Sequence, residues 1–240
     1  MLPAYVFYPT HTLLRRIARL LVTLLAFFAV QIATAQGPNI TYTVKTAINH
    51  GLSFATSAAA DSTGNVFVAD IGAAALYKET FNPDGSYTQS TISTGAGSPY
   101  AIAIDSANNL YVADGTHTVY KETLSGGSYT ESTVANTFTG AYRVAVDAAG
   151  DVYVLDAGTG TVYLEKLSGG GYTQSTVTAG LNVPNDGSGG GGIAVDSAGN
   201  VYIADTGNNA LREITYTDPT LDFGTVKIGQ IGGPDRKSVV

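Results

Sequence analysis

The chain has 240 residues, a net charge of −7, 13% charged and 44% apolar residues, and no cysteine. That apolar content is enough to bury a core, while the low charge and the 29 glycines argue against long helices and for short strands joined by tight turns. The acidic balance and the lack of a basic cluster exclude a nucleic-acid partner; the lack of cysteine excludes disulfides, thiolate metal sites, a cysteine nucleophile and a lipidated anchor.

The first element is a targeting segment. Arg15, Arg16 and Arg19 form a positive region ahead of Leu20 to Val30, which is apolar apart from Thr23. This run is about half the roughly 20 residues that a bilayer span needs. Ala33-Thr34-Ala35 then offers a small-x-small cleavage site, so residues 1–35 are expected to be removed as a signal peptide. The mature chain is expected to lack a membrane span and to be secreted, periplasmic or on the cell surface. Losing three arginines and no acid moves its charge from −7 to −10.

From residue 36 to residue 217 the chain repeats. Four segments align without gaps: Ala60-Asp61-Ser62-Thr63-Gly64-Asn65-Val66-Phe67-Val68-Ala69-Asp70, and those running Ile104 to Asp114, Val146 to Asp156 and Val195 to Asp205. Their leading aspartates, Asp61, Asp105, Asp147 and Asp196, recur at spacings of 44, 42 and 49. Periods of about 40 to 50 with four short strands each are the mark of β-propeller blades. Each unit opens with a short apolar strand, followed by an Asp-x-x-Gly-Asn hairpin turn. The aspartate accepts from turn amides, and glycine takes the left-handed position, where the second unit has Asn108. The second strand is apolar on both faces, which suits a sheet lying between two others. The third carries Leu76-Tyr77, Val119-Tyr120, Val162-Tyr163 and Leu211-Arg212. The fourth, Thr-rich and polar as in Tyr87 to Ile92, reads as an outer edge. The last unit lacks that strand, while Tyr42-Thr43-Val44-Lys45-Thr46 precedes the first. The N-terminal strand is therefore expected to complete the last blade as a clasp.

The stretch from Gly192 to Asn209, with Ala194-Val195-Asp196-Ser197-Ala198-Gly199-Asn200-Val201-Tyr202-Ile203-Ala204-Asp205, resembles an NHL repeat nearly residue for residue. The other three copies are in register, so the resemblance covers about residues 40 to 215. It implies an all-β fold, a propeller of four-stranded NHL-type blades, and leaves function open. Residues 218–234 contain Asp218-Pro219-Thr220-Leu221-Asp222-Phe223-Gly224, which resembles the start of an immunoglobulin-like β-sandwich of the kind that follows such repeats in bacterial surface proteins. That fold takes about 100 residues, so this segment is expected to be truncated. Residues 235–240, Asp235-Arg236-Lys237-Ser238-Val239-Val240, match the translation of a common sequencing adapter and are expected not to be biological.

No Gly-x-Ser-x-Gly elbow, phosphate loop or His-Glu-x-x-His helix occurs. After leader removal only His50 and His117 remain, and both read as surface loop residues. Asp70, Asp114, Asp156 and Asp205 end the second strands, and with Asp61, Asp105, Asp147 and Asp196 they read as structural turn caps. No cofactor is expected; calcium is the one ion that such carboxylates would suit. Binding residues concentrate on loops carried by rigid scaffolds. The inter-blade loops bring Tyr100, Tyr142 and Arg143, with Asn182, Asn185 and Asp186 in the longest of them, from Leu181 to Gly192. These six are the candidate ligand-binding residues, and no catalytic or metal-binding residue is assigned.

The leading reading is an exported, non-catalytic binding or scaffold module that uses a propeller face for protein or glycan contact. An alternative is a metal-dependent enzyme of the gluconolactonase or amidating-lyase type, which the chain resembles at blade level. That resemblance implies a divalent metal in the channel, whereas the first strands here carry acids only at their far ends, with Asn185 and Asp186 near the opposite mouth. A third reading is a structural spacer of a longer surface protein.

Overall fold

The computed structural model describes Ile48, residues 51–184 and residues 191–217. The expected leader, the clasp at 42–46, Asn185, Asp186, the 218–234 segment and residues 235–240 lie outside the described residues. The chain divides between Thr46 and Ala47, and every described residue belongs to the second part.

That part is a β-propeller array of antiparallel blades. Blade 1 comprises β1 (Ala55–Ala60), β2 (Val66–Asp70), β3 (Ala75–Phe81) and β4 (Tyr87–Ile92). Blade 2 comprises β5 (Ala101–Ile104), β6 (Leu110–Ala113), β7 (Val119–Ser125) and β8 (Ser128–Ala135). Blade 3 comprises β9 (Ala141–Val146), β10 (Val152–Asp156), β11 (Thr161–Ser168) and β12 (Gly171–Thr178). In blade 4 the described strands are three, β13 (Ile193–Val195), β14 (Val201–Asp205) and β15 (Ala210–Ile214). Within each sheet every strand pairs with its neighbour in sequence.

The double-sided apolar strands are explained by what lies on either side of them. Alternation along β2 sends Phe67 and Ala69 forward, where they meet Ile102, Leu110 and Val112 of blade 2. Tyr111 and Ala113 in turn meet Val144, Val152 and Val154 of blade 3. Tyr153 and Leu155 meet Val201 and Ile203 of blade 4. The apolar core is thus divided into layers between blades, where each fully buried large side chain contributes about 1.5–3 kcal/mol. Among the described residues no apolar cluster joins blade 4 to blade 1.

The first turn of each blade follows one plan. Gly64 donates to the Asp61 carbonyl at 3.2 Å, and Asp61 donates to the Asn65 carbonyl at 3.0 Å. Gly64, Gly150 and Gly199 have φ of 91, 83 and 85°, and Asn108 takes the same place at 63°. The turn's last side chain then reaches across the sheet. Asn65, Asn109, Asp151 and Asn200 accept from the amides of Phe81, Leu124, Leu167 and Tyr216 at 2.8 to 3.0 Å. Asp151, the one acid in this series, also pairs with Lys166 at 3.0 Å. Among the described residues no helix is long and apolar enough to cross a membrane.

Candidate functional site

The inter-blade loops and the turns after each second strand emerge at the same end of the sheets. There the aspartates that close the second strands do more than cap a turn. Buried Asp70 accepts from Ala73 in its own turn at 3.0 Å, and from Ser53 and Phe54, in the segment entering blade 1, at 2.7 and 2.8 Å. Asp156 holds the amide and hydroxyl of Thr139, each at 3.1 Å, together with Gly158 at 3.0 Å. Asp205 holds the Asn182 amide at 2.8 Å, the Asn208 side chain and the Arg212 guanidinium. Among the described residues Asp114 bonds only its own turn, through Thr116 and Thr118. Burial alone would raise the Asp70 carboxyl, but the amides of Ser53, Phe54 and Ala73 outweigh it and hold it below the usual carboxylate range. Asn208, acting against burial and with the Asn182 amide and Arg212, holds Asp205 low as well. At the other end, Asp61, Asp105, Asp147 and Asp196 each accept from the amides two and four residues on.

Three of the six ligand candidates stand together. Tyr100 and Tyr142 meet edge to face, with ring centroids 4.6 Å apart and planes at 71°. Arg143 follows directly and its guanidinium is held by backbone, donating to the Tyr142 carbonyl at 2.8 Å and to the Gly191 carbonyl at 3.3 Å. All three are half-buried, and burial lowers the pKa of Arg143 against a smaller opposing effect of Tyr100. Beneath Tyr100 lies Gly115, with φ of 73°, where a Cβ would sit 2.1 Å from the tyrosine ring. The arrangement offers an aromatic edge and face beside a fixed cation, suited to a sugar ring or a planar or anionic group.

Asn182 is engaged through its backbone. Its amide donates to Asp205 and its carbonyl accepts from Gly207 at 2.7 Å, so it anchors the blade 3–blade 4 connection. Asn185 and Asp186 lie outside the described residues. Among the described residues no group of three or more His, Asp or Glu side chains is placed to hold a metal.

Sequence reasoning missed the buried acids. Glu79, Glu122 and Glu165, each on the third strand of its blade, are at most 2% exposed. Their neighbours in sequence, as in Lys78-Glu79-Thr80, read as a solvated strand; the signal was the recurrence of Glu at one position in three blades. A groove of about 320 Å³ at the opposite end of blades 3 and 4 was also missed; it is lined by Asp147, Asp151, Tyr153, Lys166, Asp196 and Tyr216 among others.

Comparison with known proteins places this chain among propellers. The family model described as NHL repeat matches residues 191–214, the inner part of blade 4. A streptogramin B lyase structure is similar at 16% identity and a TM-score of 0.52, over 70% of this chain and 53% of that one. A catalytically inactive virginiamycin B lyase from Staphylococcus aureus, with quinupristin, is similar at 17% identity and 0.52, over 73% and 59%. An auxiliary nutrient binding protein from Bacteroides ovatus is similar at 16% identity and 0.51, over 67% and 38%. The chain thus spans between a third and three fifths of these proteins, and at such identities the likeness is one of fold. No curated protein matches the chain.

Proposed function

We propose that the chain is an exported binding module whose ligand, a glycan or a protein surface, docks on Tyr100, Tyr142 and Arg143. The observation that carries this reading is the edge-to-face tyrosine pair next to a guanidinium held by two backbone carbonyls. Two aromatic rings already set against each other lose little freedom on binding, and a cation with fixed direction adds orientation. The fold itself does not choose, since it carries both lyases and a nutrient-binding protein among its solved examples. Export rests on the N-terminal leader and its cleavage site, and a bacterial source on the resemblance of residues 218–234.

The test is a glycan array and a surface-protein panel probed with the full chain, followed by calorimetry of any ligand found. Y100A and Y142A are each expected to weaken that ligand by about tenfold or more while leaving the melting transition cooperative. Unchanged affinity in both variants would remove the site from the proposal, and an empty panel would favour the spacer reading. Calcium titration after chelation separates the enzymatic alternative. Saturable uptake of one ion, lost when Asn185 and Asp186 are changed to Ala, would move the function to a channel metal.

A further inference from the structure

The fourth strand of each complete blade carries a side chain that bridges the buried glutamate of the third strand and the segment entering that blade. In blade 1, Gln89 stands opposite Glu79 and donates to it at 2.7 Å, and its amide lies against Gly51. In blade 3, Gln174 stands opposite Glu165, donates to it at 2.7 Å, and also reaches the Thr137 hydroxyl at 2.8 Å. Blade 2 has the same register but a different residue. Glu131 stands opposite Glu122, accepts from the Thr94 hydroxyl at 3.1 Å, and receives the Gly95 amide as well. A carboxylate cannot replace the amide donor. Glu122, fully buried, therefore has no hydrogen-bond partner on either oxygen, whereas in Glu79 only Oε2 lacks one.

Two ionised carboxylates facing each other across one strand pair, one of them dry, is an arrangement that proteins avoid or neutralise. Among the described residues no third carboxylate or imidazole joins the pair to make a cation cage. The cation on the facing side of blade 1, Lys78, sits over the Phe67 ring at 5.9 Å, and neither glutamate has an ion pair among the described residues. The other titratable groups nearby are Tyr120 on β7, whose ring lies with Glu131 against Gly95, Tyr129 on β8, whose hydroxyl feels both Asp61 and Glu122, and Asp61 itself. The remaining neutraliser is a proton. Held on Glu122 and donated to Glu131, it reproduces the bond that Gln89 and Gln174 make in their blades.

We propose that Glu122 and Glu131 share one proton, and that its release to solvent frees exposed Glu131 to swing away from buried Glu122 and let go of Thr94 and Gly95. The consequence is a pH-sensitive latch on the connection from blade 1 to blade 2, the same segment that leads through buried Ala96 to Tyr100. The energetics agree with the geometry. Burial first, and then the neighbouring Glu131, push the Glu122 carboxyl up to about 7, against a small opposing effect of Thr94. An acid whose folded pKa is raised stabilises the fold fully below its unfolded value, and that stability is lost as pH rises through the folded value. The window therefore runs from the ordinary carboxyl value of 4.5 to about 7.

The test is amide hydrogen exchange at Gly95 in the full chain, corrected for intrinsic rates and recorded in EDTA at about pH 5.5 and about pH 8.5. Wild-type protection is expected to fall by about tenfold or more between the two. E131Q, which installs the glutamine of blades 1 and 3, is expected to fold and to keep its protection within about twofold across the same range. Protection independent of pH in the wild type, or a fall that persists in E131Q, would overturn the latch. Restoration of the high-pH protection by calcium in the wild type, and not in E131Q, would show that a cation and not a proton joins the pair.

Discussion

Asp70 shows how much one side chain can organise here. Its oxygens collect amides from its own turn and from Ser53 and Phe54, 17 and 16 residues upstream, so one carboxylate ties the entry of blade 1 to the end of its second strand. D70N keeps the shape but halves the acceptors and removes the charge. It is expected to cost about 1–3 kcal/mol in urea unfolding at neutral pH. Because the folded pKa is held low, the stability from Asp70 is present above the usual carboxylate range and is lost as pH falls through the lowered value. The wild type should lose stability there and D70N should lose less; equal acid slopes would remove Asp70 from the account. The local half of this role was legible, because an aspartate three residues ahead of a turn amide is a short-range pattern. The grip on the upstream segment was not, since nothing local says which distant amide a carboxylate will meet. The backbone commitment of Asn182 to Asp205 and Gly207 was illegible for the same reason, since nothing in its long polar loop points to either partner.

At the scale of the element, the turn after β6 decides where the aromatic pair stands. Gly115 has φ of 73°, donates to the Ala141 carbonyl at 3.0 Å, and lies directly under Tyr100. G115A places a methyl group in the ring's space on a backbone that L residues rarely adopt, so two penalties add. The expected outcome is a loss of about 2 kcal/mol or more in stability. The near-ultraviolet circular dichroism of the tyrosines should change as well, as Tyr100 is displaced from Tyr142. An unaltered tyrosine signal would show that the pair is set by other contacts. The strands and first turns were legible because short apolar runs recur four times, each after an Asp-x-x-Gly-Asn turn or a one-residue variant of it, with Asn108 for Gly or Asp151 for Asn. Glu122 was not, because Lys121-Glu122-Thr123 has the composition of an exposed strand, and only the packing of the preceding sheet and its connection makes it dry.

For the molecule as a whole, place in the array decides what a residue is worth. Leu76, Val119, Val162 and Leu211 hold equivalent positions on the third strands; the first three are 0% exposed and Leu211 is 75% exposed. L76A is therefore expected to cost about 2–5 kcal/mol and L211A less than about 0.5 kcal/mol in denaturant unfolding. Similar losses in both would mean that Leu211 is covered in solution. The blade count was readable from the repeat, whereas the layering of the core between blades, with no apolar cluster from blade 4 to blade 1 among the described residues, depends on three-dimensional packing. The sheet order carries one more consequence. Since every strand bonds only to the strand next to it in sequence, each blade's hydrogen-bond ladder closes through hairpins, and the contacts that span long stretches of chain are the side-chain layers between blades and the hydrogen bonds of the inter-blade loops. Contact order within a blade is thus low for an all-β protein, and hairpins form in about 1–10 μs. The slow step should be the stacking of preformed sheets, and a chain leaving the ribosome can begin that stacking once its second blade has emerged.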